Sequence, residues 1–163
     1  MARIDAHELE DITEMLTTLG TKWEGTAKQG LYEGAKVIKE ELEREIDSLP
    51  STKTSYYPKS ALPLHRLRDI EKKALKDGLR IFKMENEKDG VSVTIGFVGY
   101  TDYKSKRIPN ALIARSLVKG TSVQSKNNFV SRAFKRSKDK RNQAMTEKIF
   151  TVIGKFSKYY TKN

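Results

Sequence analysis

The stretch VSVTIGFVGY, residues 91–100, alternates strictly, with Val91, Val93, Ile95 and Phe97 on one side and Ser92, Thr94 and Gly96 on the other. Successive side chains of a strand point to opposite faces, so the pattern demands a β-strand with one buried face. The preceding run LRIFKMEN, separated from it by a turn containing Asp89-Gly90, supplies an antiparallel partner. An isolated hairpin is marginal in water, so its apolar face requires a cover.

That cover is legible upstream. Leu31, Ala35, Ile38, Leu42, Ile46 and Leu49 recur at helical spacing and predict a long helix from about Ala27 to Leu49, stopped by Pro50. Leu9, Ile12, Leu16 and Leu19 repeat the period in an N-terminal helical extension, residues 1–26. Glycines at 20, 25, 30 and 34 predict a kinked or flexible passage around GTKWEGT, because each costs up to about 1 kcal/mol relative to alanine inside a helix. Lys36 and Lys39 stand four residues before Glu40 and Glu43, a spacing that supports ion pairs along the second stretch.

Residues 51–66, STKTSYYPKSALPLHR, hold two prolines and no period, and predict an extended loop. Tyr56 and Tyr57 either pin that loop to the body or contact another subunit. Leu67, Ile70, Ala74 and Leu75 suit a helix stopped at Gly78, TDYKSKRIP reads as a basic loop, and Asn110 predicts the cap of a short helix ending at Gly120. Phe129 to Tyr160 reads as one long terminal helix whose KRSKDKRNQ portion leaves the core. The whole, residues 1–163, is one α+β domain: a long N-terminal helix packed on a small antiparallel sheet, with a short helix and a long C-terminal helix.

The chemistry of an enzyme needs companions that this chain does not place together. His7 and His65 are the only histidines, and neither belongs to a metalloprotease or nucleophile-elbow pattern. The glycines of GFVG and Gly120 have no following Gly-Lys-Ser/Thr, so the phosphate-loop reading fails. With no cysteine, thiolate metal sites and disulfides are excluded. The sequence therefore predicts no enzyme, no cofactor and no metal site. Its acidic N-terminus and the lack of any apolar run of membrane length predict a soluble chain that is neither exported nor membrane-bound.

Charge is polarised. Residues 1–50 carry 6 Lys and Arg against 12 Asp and Glu, whereas residues 100–163 carry 16 against 3. Such polarity suits head-to-tail contact between copies, proximity to nucleic acid, or a solvated projecting helix. The cluster Lys135, Arg136, Lys138, Lys140 and Arg141 is the candidate contact for DNA or an acidic partner, through phosphates without reading of bases.

GTSVQSKNNFVSRAF, residues 120–134, reads as a helix end, a polar crossing and an apolar anchor. Tyr56, Tyr57, Thr121, Ser122, Phe129 and Phe134 are the candidate subunit or neck-interface residues. In order, AKVIKEELEREI, YYPKS, VSVTIGFVG and ALIARSLVKGTSVQSKNNFVSRAFKRSKD resemble the tail-completion (head-tail joining, neck) proteins of long-tailed bacteriophages, over residues 27–157. Ala114 to Ser122 stands where that family has its Gly-Thr-Ser stretch, and Asn128-Phe129 stands for the anchor that follows. The resemblance implies a noncatalytic virion component at the head-tail junction, made in the host bacterial cytoplasm. It further implies a homo-oligomeric ring between a head-closure or connector protein and the tail terminator, with possible nonspecific contact with packaged DNA. The alternative is a nonspecific nucleic-acid-binding module acting through a basic C-terminal helix.

Overall fold

The amphipathic period of the first fifty residues becomes a single helix, α1 (Ala6–Ser48), of 43 residues and about 65 Å. A computed structural model describes residues 6–53, 67–87, 90–103, 106–121 and 125–160. The kink expected at GTKWEGT is not there, for α1 runs unbroken through all four glycines. Two of these glycines are packing positions. A Cβ at Gly30 would stand 2.9 Å from Ile149 Cγ1, and one at Gly34 would stand 2.7 Å from Met145 Cγ. The missing side chains let the C-terminal helix lie against α1, and that packing overrides the weak helix propensity. The expected ion pairs are half realised: Lys39 bonds Glu43, but Lys36 turns back to Glu33 at 3.0 Å.

The end of α1 is tied to the next helix. After β1 (Ser51–Thr52) and β2 (Leu67–Arg68), α2 spans Asp69–Gly78. Lys72 Nζ of α2 donates to the carbonyls of Asp47 and Leu49, at 2.8 Å each, meeting acceptors that a helix end leaves without intrahelical donors. β1 and β2 pair in parallel, Ser51 opposite Leu67, so the two ends of the predicted 51–66 loop lie side by side. Tyr56 and Tyr57 lie outside the described residues.

The predicted hairpin forms, with an interruption. β3 (Leu79–Ile81) pairs antiparallel with β6 (Ile95–Phe97), and β4 (Glu85–Glu87) pairs with β5 (Gly90–Ser92). Between the two paired stretches, residues 82–84 on one side oppose only 93–94 on the other. One extra residue on one side is a β-bulge, which bends the arm and increases its twist. Phe82 N donates to Thr94 O at 2.8 Å across the bend.

TDYKSKRIP, expected as a loop, is instead a second hairpin of β7 (Tyr100–Tyr103) and β8 (Lys106–Pro109), in which Thr101 faces Ile108. Polar residues conceal these strands in the sequence, and Tyr100, Asp102, Arg107 and Pro109 are exposed. Asn110 is not a cap either: it is the first residue of α3 (Asn110–Lys119), and Pro109 holds the cap position. Its buried amide donates to Ala74 O (3.0 Å) and Val98 O (2.8 Å) and accepts from Thr101 Oγ1 (2.8 Å). One side chain thus joins α2, the end of β6, β7 and α3. Gly120 closes α3 at φ 75°, as expected of a helix terminus.

The single terminal helix expected from Phe129 is divided. α4 (Phe129–Arg136) and α5 (Lys138–Tyr160) meet at buried Ser137, whose Oγ donates to Phe134 O at 3.2 Å. A serine hydroxyl bonding the preceding turn competes with the helical ladder. The core gathers Leu42 and Ile46 of α1, Leu75 of α2, Leu79 of β3, Leu117 of α3 and Phe129 of α4. The fold class is α+β, with the long N-terminal helix and small antiparallel sheets read from the sequence, together with one short parallel pair.

Candidate functional site

The basic run that follows Phe129 divides by helical phase. Phe129, Arg132, Ala133 and Arg136 recur at i, i+3, i+4 and i+7, so two arginines border the buried stripe of Phe129 and Ala133 on α4. They meet Glu45, which lies on the apolar stripe of α1 between Leu42 and Ile46 and is only 2% exposed. Arg132 Nε donates to Glu45 Oε2 at 2.8 Å, and Arg136 Nη1 donates to Oε1. Arg132 Nη2 also reaches Asn127 Oδ1 at 3.1 Å, and Asn127 N donates to Leu117 O at 2.7 Å. The clamp therefore fixes α1, α4 and the residues leading into α4 together.

This assigns Arg136 a structural bond inside its own chain, although the sequence grouped it with the lysines. Neither Glu45 nor Arg132 is among the site residues expected from the sequence. The available signal was an acid in phase with Leu42, Ile46 and Leu49, matched by arginines in phase with Phe129 and Ala133. Lys135, Lys138 and Lys140 point outward and are exposed. Arg141 is half-buried, with its guanidinium carbon 5.5 Å from the centre of the Phe134 ring, a cation–π arrangement.

The residues singled out for an interface fall in different places. Phe129 is fully buried, 6.4 Å from the Phe97 ring centre, and belongs to the body of its own chain. Phe134 is 44% exposed. Thr121 is exposed beside the end of α3, while Ser122, like Tyr56 and Tyr57, lies outside the described residues.

Phe134 stands at the rim of an open apolar groove of about 460 Å³. Leu31 and Leu42 of α1 form one wall, Val91 and Val93 the hairpin wall, and Phe134 and Met145 the third. The alternating face that opened the sequence argument is thus only partly covered by its own chain: Val91, Val93, Ile95 and Phe97 are all half-buried. Arg141 supplies charge to the groove. Among the described residues no group of His, Cys, Asp and Glu is arranged to hold a metal ion, and no helix is long and apolar enough to cross a membrane. No protein-family model matches the chain, and no curated protein or solved structure matches it.

Proposed function

We propose that the chain is a noncatalytic structural component of a phage neck, which helps complete the tail and join it to the DNA-filled head. In this reading it acts as a homo-oligomeric ring at the head-tail junction, between a head-closure or connector protein and the tail terminator. The observation that carries the reading is the ordered run from the GF strand through Gly120-Thr121-Ser122 to Asn128-Phe129 and Arg132-Ala133-Phe134. The geometry is compatible with that role: the run ends one helix at Gly120, seats the next at Phe129, and leaves Phe134 and three lysines on the outside. Assembly proteins need such outward features on a body fixed from within.

The decisive experiment removes the chain from the phage that encodes it. Full heads and separate tails should accumulate, and supplied chain should join them and appear in the purified particles. Complete, infectious particles formed without it would overturn the proposal.

A second reading, nonspecific binding to nucleic acid, is favoured by one observation: Lys135, Lys138 and Lys140 are exposed and pair with no acid among the described residues. Binding to random duplex DNA at several salt concentrations tests it, since phosphate contact must weaken steeply with salt. Absence of binding near physiological salt rejects it.

A further inference from the structure

α1 is longer than the body it supports. Gly34 abuts Met145 and Gly30 abuts Ile149, so α5 runs antiparallel to α1. Tyr160, the last residue of α5, is eleven residues beyond Ile149 and falls level with residue 19, eleven before Gly30. Residues 6–18 of α1 therefore extend past the end of α5 by about 20 Å at 1.5 Å per residue. In sequence this overhang carries Leu9, Ile12 and Leu16 at helical spacing, flanked by Glu8 and Asp11. Residues 6–19 contain four acids and no lysine or arginine.

The groove has the complementary chemistry. Its walls are apolar, and Phe134, Arg141 and Met145 line its α4–α5 side; the exposed Lys138 lies outside the lining, four residues after Phe134 and three before Arg141. We propose that the acidic α1 overhang of one copy docks its Leu9–Ile12–Leu16 stripe in the groove of the next copy, with Glu8 and Asp11 beside Lys138 and Arg141. A volume of about 460 Å³ holds a few leucine-sized side chains, not a whole helix, which fits a helix lying across the opening with its knobs inserted. A continuous, extended helix cannot fold back into its own groove, so the contact is between chains and head-to-tail. Heterologous contacts of this kind close into rings or continue as filaments. The inference deepens the ring reading and rests on it for closure.

The absence of cysteine allows a direct test with the full chain. A Leu16→Cys chain mixed with a Phe134→Cys chain should form a disulfide-linked heterodimer on mild oxidation, well above either chain's self-linking. Lys138→Glu with Arg141→Glu should lower that yield about tenfold, and Glu8→Lys with Asp11→Lys in the partner chain should restore it. Circular dichroism of each variant checks folding. Failure to cross-link with folded chains, or a strictly monomeric mass from about 1 to 100 µM, overturns the proposal. So does reversal of charge without effect. Cross-linking by a chain that never enters particles overturns the neck reading alone, while a chain that enters particles without cross-linking overturns the docking alone.

Discussion

Arg132 and Arg136 differ from Lys135, Lys138 and Lys140 in little but helical phase, yet the two sets have different work. Both arginines reach a carboxylate that is 2% exposed, although Arg136 keeps 64% of its own side chain in solvent, while the lysines of the same stretch face solvent without such a bond. Residue type follows the difference. Glu45 offers two oxygens and receives a guanidinium on each, whereas lysine presents a well-hydrated point charge suited to an outer surface. A basic run is therefore a poor unit of functional inference until its phase against the core is known.

The strongest way to break this contrast is to remove both inward partners. Arg132→Ala with Arg136→Ala strands a buried carboxylate, and chemical denaturation should show a loss of about 3 kcal/mol, the low end for breaking a buried pair because both arginines are partly exposed. Arg136→Lys, which keeps the charge and loses the planar donor, should cost about 1 kcal/mol in the same measurement. Reversing the outward set tests the other half. Lys135→Glu, Lys138→Glu and Lys140→Glu together should leave the denaturation midpoint nearly unchanged, at about 0.5 kcal/mol or less per site. If the chain binds DNA, the same triple variant should reduce the salt slope by about one for each lost phosphate contact.

Exposed pairs mark the small end of the scale. Lys28, and then Asn86 from β4, hydrogen-bond Glu24 and hold its carboxyl below its ordinary value of 4.5. A depressed folded pKa gives stabilisation that is complete above the unfolded value and fades as pH falls through the folded one. NMR titration of Asn86→Ala should show the Glu24 midpoint move up toward its ordinary value, with hardly any change in stability. Lys76 has the opposite sign. Its hydrogen bond to Asp47 raises it above 10.5, so its contribution is present below that value and is lost as pH rises through the folded pKa.

The periods written in single elements were readable in advance: the Leu31–Leu49 stripe, the alternation from Val91 to Phe97, and Gly120 as a terminus. What escaped depends on partners distant in sequence. Gly30 and Gly34 read as weak points until Ile149 and Met145 are set against them. Asn110 reads as a cap until Ala74, Val98 and Thr101 surround its amide. β7 and β8 are too polar to announce a strand, and their cross-strand pairing decides the matter. Within the candidate site, Phe134 and the lysines were legible as outward features, but the inward arginines were not, because Glu45 stands 87 residues from Arg132.

α1 is gauged at three stations along its length: Glu24 by Asn86, Gly30 and Gly34 by α5, and Glu45 by α4. Each residue added to a helix turns everything beyond it by about 100°. An insertion between any two stations would rotate one out of register with its partner, so this part of the helix is a ruler whose length is fixed by agreement among its readers.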